Sequence, residues 1–158
     1  TASKIGDSLV LTADHLVTDN DDKERVFPIT CTFFQRGKEV GSFKSDVHKS
    51  KQVGAKDITF LQVSFNKEGK KIPEINPEIY TELSVGENLV LITHPKKLIN
   101  DYLITFGMVL NDDTEKILEG DRKKYWESSI ITNMTAAPGS SGSPLFTLDG
   151  RFIGLHVG

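Results

Sequence analysis

The chain is 158 residues long, 37% hydrophobic, 26% charged and 8% aromatic, with a net charge of −3 and an isoelectric point near 5.8. That apolar fraction is too high for a disordered chain and suffices for one substantial core or two small ones, and the acidic balance argues against nucleic acid as a partner. No run approaches the roughly 18 consecutive apolar residues of a spanning helix, and Cys31, the one cysteine, excludes a disulfide framework and a multi-cysteine zinc site.

The N-terminal residues Thr1-Ala2-Ser3-Lys4-Ile5-Gly6-Asp7 carry neither the basic start nor the apolar run of a signal peptide. From there the chain reads as short β segments separated by turn residues: 8–12, 25–34, 39–46, 57–65, 88–93, 102–110, 129–134, 143–147 and 151–157. Gly37, Gly41, Gly54 and Gly150 punctuate them, and Leu148-Asp149-Gly150 predicts a hairpin turn between the last two. Thr114 to Trp126 places Ile117 and Leu118 among mostly polar residues and reads as a solvated loop or short helix. Composition shifts once, between Asn66 and Glu87, where Gly69, Pro73, Pro77 and Gly86 accompany five glutamates. That stretch predicts a linker or long surface loop. It divides an all-β chain into two units, residues 1–72 and 73–158.

The chemistry concentrates in Ala137-Pro138-Gly139-Ser140-Ser141-Gly142-Ser143-Pro144. Flanking glycines let the backbone turn sharply and present the middle serine outward. Leu9-Val10-Leu11-Thr12-Ala13-Asp14-His15 places a histidine just after an apolar strand, and Asp57-Ile58-Thr59-Phe60-Leu61-Gln62-Val63 places a carboxylate at the start of another. The order His15, Asp57, Ser141 is the chymotrypsin order. The gaps of 42 and 84 residues approach the roughly 45 and 93 of that arrangement. Among the rivals, Asp46 lacks a following apolar strand, Asp14 is a neighbour pointing away, and His48 reads as a solvated surface residue. His94, before Pro95, reads as a turn residue, and Lys96-Lys97 and Arg122-Lys123-Lys124 as solvated faces. Asn133-Met134-Thr135 matches a glycosylation sequon, a pattern common by chance.

These blocks resemble the chymotrypsin-fold serine proteases. Thr12-Ala13-Asp14-His15 is similar to their T-A-x-H motif, Asp57-Ile58-Thr59-Phe60-Leu61 to their D-I-A-L-L strand, and Gly139-Ser140-Ser141-Gly142-Ser143-Pro144 to G-x-S-G-[GS]-P. The flavour is that of the disulfide-free branch with the glutamyl endopeptidases, HtrA-like and viral proteases. The resemblance implies two antiparallel six-stranded β-barrels, trimmed at both ends, with the site in the cleft between them and a first strand missing before Ser8. It implies a serine endopeptidase with His15 as base, Asp57 as orienting acid and Ser141 as nucleophile, an oxyanion hole from the N–H groups of Gly139 and Ser141, and no metal or organic cofactor. Ser140 stands where zymogen-type relatives carry an aspartate, so no freed N-terminus is required. The specificity pocket falls on Thr135 and His156. Thr135 lacks the charge that would hold a basic side chain, and His156 suits a P1 glutamate or glutamine. Val157, Gly158 and the His156 carbonyl fall where substrate backbone pairs. The partner is a protein or peptide substrate, with neither nucleic acid nor membrane. The alternative is a catalytically silent module of the same fold that binds peptides. The lone cysteine leans slightly toward the cytoplasm, though a disulfide-free secreted protease would look the same.

Overall fold

Short strands with one apolar face need a second sheet to cover them, and the chain answers with two open antiparallel sheets and a hairpin. The computed structural model describes residues 1–18, 28–45, 51–52, 57–95, 102–111 and 129–157. The first sheet has the order β1-β2-β6-β5, with β1 at Ala2–Gly6, β2 at Leu9–Thr12, β5 at Lys51–Gln52 and β6 at Thr59–Gln62. A hairpin of β3 (Ile29–Gln35) and β4 (Lys38–Ser45) joins it through an isolated bridge between Ser45 and Val63. The second sheet runs β11-β10-β7-β8-β9, with β7 at Asn88–Thr93, β8 at Leu103–Asn111, β9 at Ile131–Thr132, β10 at Pro144–Thr147 and β11 at Phe152–Leu155.

Each sheet has its own core. Val10, Val17, Cys31, Phe43, Leu61 and Val63 pack together under the first, with Phe33 and Phe65 beside them. Leu89, Leu91, Val109 and Leu145 form the second. Burial pushes the Cys31 thiol up to about 11, so it serves as a small apolar core residue.

The strand missing from the expectation is present: β1 pairs antiparallel with β2, Ser3 opposite Leu11 and Lys4 opposite Val10. It escapes a hydrophobic-period reading because Ser3 and Lys4 are buried. The Lys4 ammonium is satisfied at 2.6 Å by Glu74 and at 3.1 Å by the Ile72 carbonyl, so the buried charge is paired rather than orphaned. The stretch 66–87 forms one helical turn, α1 (Lys67–Lys70), capped by the Asn66 side chain on the Gly69 N–H at 2.8 Å. Beyond it the chain hydrogen-bonds from Ile75 to Lys4 and from Tyr80 to Phe152, so it runs from the edge of one sheet to the edge of the other. Residues 25–27, Asp46, His48, Gly54, Lys96-Lys97, the segment 114–126 and Gly158 lie outside the described residues.

Candidate active site

Antiparallel pairing of β2 with β6 sets Thr12 opposite Thr59. The chain leaving β2 and the chain entering β6 therefore emerge at the same end of the sheet. His15, on a short 3-10 turn (Asp14–Leu16), and Asp57, just before β6, meet there although 42 residues separate them. Asp57 Oδ1 accepts the His15 backbone N–H at 2.8 Å, and its Oδ2 lies 2.5 Å from the ring Nδ1. One carboxylate thus holds both the main chain and the ring of the histidine. Asp14 turns away, its carbonyl and carboxylate engaged by the Thr18 hydroxyl.

The serine segment folds as two successive turns. Ser140 N–H donates to the Ala137 carbonyl at 2.9 Å, with Pro138 and Gly139 in the middle and Gly139 at φ 100°. Proline second and a positive φ third is the type II pattern. Ser143 N–H then donates to the Ser140 carbonyl at 3.0 Å, with Gly142 at φ 80°. Between them stands Ser141, half-buried, its hydroxyl without a hydrogen bond among the described residues. The N–H groups of Gly139 and Ser141 are likewise uncommitted among the described residues, while those of Ser140, Gly142 and Ser143 all donate.

Gly142 brings the two halves together. A Cβ there would collide with the Thr1 carbonyl and with Thr12 Oγ1 at 2.6 Å, and would press on Ala13 N at 3.0 Å. The turn after Ser141 therefore lies closely on the segment leading to His15, against the Thr12 side chain and the Ala13 main chain. Gly142→Ala is expected to cost about 2–4 kcal/mol, from strain at positive φ and from displacement of that segment. Urea denaturation of the purified variant measures it, and a midpoint equal to wild type would mean the contact is slack.

On the far side, His156 N–H donates to the Ser143 carbonyl and Gly142 N–H donates to the His156 carbonyl, both at 2.8 Å. The His156 carbonyl, expected to pair with substrate, thus already accepts one hydrogen bond inside the protein. Val157, next along the chain and half-buried, has no hydrogen bond among the described residues. Thr135 is exposed. Burial holds the His156 imidazole below its usual range, so it is neutral near pH 7. His94 is more than a turn residue. Its ring stacks on Phe34 at 4.8 Å between centroids, and its N–H donates to the Thr1 hydroxyl at 3.2 Å.

Sequence reasoning missed Thr93 and the role of Ser140. Ser140 is buried, and its hydroxyl accepts from Ala137 N–H at 3.1 Å and from the Thr93 hydroxyl at 3.0 Å. A serine in place of the charged residue of zymogen-type relatives was the one signal available. Among the described residues no group of three His, Cys, Asp or Glu side chains could hold a metal ion, and no helix is long and apolar enough to cross a membrane.

With two all-β sheets, a His–Asp pair, and a serine turn packed on the segment that leads to the histidine, the chain has the architecture of a chymotrypsin-fold protease domain. The sequence pattern of the trypsin-like peptidase domain matches residues 2–155, and the chain belongs to that family. It is 29% identical over 153 residues to a probable periplasmic serine endoprotease, DegP-like, of Ectopseudomonas mendocina, covering 95% of this chain and 27% of that protein. A DegP-like relative from Pseudomonas putida is 27% identical over 150 residues, covering 95% and 26%. The chain thus spans about a quarter of the length of the curated relatives it matches. Among solved structures, Deg5 superposes with a TM-score of 0.70 at 18% identity, over 99% of this chain and 72% of that one. The HtrA-type protease AlgW with a tripeptide gives 0.65 at 19%, over 98% and 44%. The lean toward the cytoplasm finds no support in relatives named as periplasmic.

Proposed function

We propose that the chain cleaves peptide bonds through an acyl-enzyme, with Ser141 as nucleophile, His15 as general base and then acid, and Asp57 as the group that fixes the histidine tautomer. The observation that carries this reading is the double hold of Asp57 on His15, main chain and Nδ1 together. With Nδ1–H donated to the carboxylate, Nε2 keeps its lone pair for a serine proton. A serine hydroxyl is a weak nucleophile without such a base. Two uncommitted N–H groups flanking the nucleophile, Gly139 and Ser141, support an oxyanion hole. Each donor is worth about 3 kcal/mol in comparable sites. We place residues 1–72 in the unit carrying His15 and Asp57 and residues 73–158 in the unit carrying Ser141. By analogy with the periplasmic relatives, the protease works on protein substrates outside the cytoplasm. A fluorophosphonate probe tests the reading directly: labelling should map to Ser141 and vanish in His15→Ala. Unlabelled wild-type protein would mark a silent, peptide-binding module instead.

Specificity follows from the pocket walls. The uncharged Thr135 offers a basic side chain no partner, and burying such a charge unpaired costs several kcal/mol, about 3–5 where a pair is broken. His156 favours a P1 glutamate or glutamine, and the uncommitted carbonyl of Val157, with Gly158 beyond it, is better placed than the His156 carbonyl to accept substrate N–H groups. Because burial lowers the His156 pKa, the ring gains its proton only below the ordinary imidazole value of about 6.5. The kcat/KM ratio for P1 Glu over P1 Gln should therefore rise as pH falls from 7 toward 5. Taking the ratio cancels the pH dependence of the shared chemical steps. A peptide library read at both pH values checks it. Dominant cleavage after Arg, Lys or large apolar residues, or a flat ratio, would remove His156 from the pocket.

A further inference from the structure

The turn that carries Gly139 is held from outside itself. Thr93 ends β7, the central strand of the second sheet, and its hydroxyl donates to Ser140 Oγ at 3.0 Å in a fully buried contact. The same oxygen accepts Ala137 N–H at 3.1 Å. The next residue, His94, donates its N–H to the Thr1 hydroxyl at 3.2 Å, and that hydroxyl donates to the Gly139 carbonyl at 3.0 Å. Two consecutive residues at the end of one strand therefore grip two consecutive residues of the turn. The Ala137 N–H and carbonyl, the Gly139 carbonyl and the Ser140 N–H are all engaged. The Gly139 N–H is left as the uncommitted donor. An Ala-Pro-Gly-Ser turn is not rigid alone, because glycine admits both signs of φ and the central peptide can reverse between type I and type II at little cost. Reversal would swing the Gly139 N–H to the opposite side of the turn.

We propose that Thr93 is a positioning residue for the oxyanion hole: its hydroxyl anchors Ser140 and thereby keeps the Pro138–Gly139 peptide in the orientation that presents the Gly139 N–H. This rests on the assignment of Gly139 and Ser141 as the oxyanion donors. A neutral hydroxyl pair does here what an ion pair at the residue before the nucleophile does in zymogen-type relatives. Thr93 touches neither substrate nor reacting atoms, so its effect is confined to the step in which charge develops on the substrate oxygen.

Thr93→Val keeps the shape of the side chain and removes its hydroxyl, and Thr93→Ser keeps the hydroxyl. On a peptide substrate, Thr93→Val should lower kcat by about 10- to 100-fold with KM within twofold, because one oxyanion donor is worth roughly 10²–10³ when lost outright. Its affinity for a peptide aldehyde, which forms a tetrahedral oxyanion on the serine, should fall by a similar factor, while affinity for the corresponding cleaved peptide acid stays put. Thr93→Ser should restore kcat to within about threefold. Ser140→Ala reaches the same contact from the other side and serves should the valine variant not fold; its kcat should fall with KM unchanged. In the double variant the two losses should not multiply. A kcat for Thr93→Val within threefold of wild type, an equal loss in Thr93→Ser, or a rise in KM at constant kcat would overturn the role of Thr93. Wild-type protein that reacts with neither aldehyde nor fluorophosphonate would bring down the oxyanion assignment with it, whereas a reactive wild type matched by an equally reactive Thr93→Val defeats the latch alone.

Discussion

Replacing Ser141 by alanine is expected to lower kcat for peptide hydrolysis by about 10⁶ while leaving the unfolding free energy within about 0.5 kcal/mol of wild type, because a triad without its nucleophile retains only the residual catalysis of binding and the oxyanion hole. The fold should survive because the Ser141 hydroxyl makes no hydrogen bond among the described residues and the turn around it is closed by the main chain of Ser140 and Ser143 and by the side chain of Ser140. His15→Ala should cost about as much, since nucleophile and base act as a unit and their losses do not add. Single-turnover kinetics on a chromogenic peptide, with circular dichroism of the same preparation, settles both at once. Activity within tenfold of wild type in Ser141→Ala would move the nucleophile elsewhere.

Asp57→Asn is expected to lower kcat by roughly 10⁴ with the backbone near native. The geometry explains why a change of one atom is so damaging. Asp57 accepts from the His15 main-chain N–H with one oxygen and from Nδ1 with the other, so it needs two acceptors. Asparagine has one. If its oxygen stays on the main-chain N–H, its NH₂ faces Nδ1 and donates to it, which forces the ring proton onto Nε2 and leaves no lone pair for the serine proton. If the amide flips, NH₂ and main-chain N–H confront each other as two donors. Stability should move little, because the side chains of His15 and Asp57 are 40% and 26% exposed. A kcat within a factor of ten of wild type would mean the ring is oriented by something other than Asp57.

The residues of the candidate site were legible as candidates because local sequence carries them. The strand leading to His15, the strand that follows Asp57 and the glycines around Ser141 are each contiguous patterns, and antiparallel pairing of Thr12 with Thr59 converts the first two into one place in space. The strand Asn88–Thr93 was equally plain, with Leu89 and Leu91 on the core side. Long-range pairing hid the rest. β1 looks like no strand because its buried Lys4 depends on Glu74, seventy residues away. The hydrogen bond from Thr93 to Ser140 spans 47 residues and joins two hydroxyl side chains of a kind common in loops. The engagement of the His156 carbonyl by Gly142 N–H follows from a close approach of two loops that no period announces. Patterns along the chain mark what a residue is; these contacts depend on where the sheets bring it.

The close seat of Gly142 on Thr12 and Ala13 has a consequence for tolerance to change. Where two parts of a protein meet through side chains, a larger residue on one surface can be offset by a smaller one on the other, and their separation drifts as the sequence does. Here Gly142 sits against main chain at Thr1 and Ala13, whose dimensions no substitution alters, and against the Thr12 hydroxyl. The spacing between the histidine segment and the serine turn is thus set by main-chain contact and one small side chain, that of Thr12. The side chains of Thr135 and His156 take no part in that contact, so substitutions of them are expected to leave the spacing of the two segments as it is.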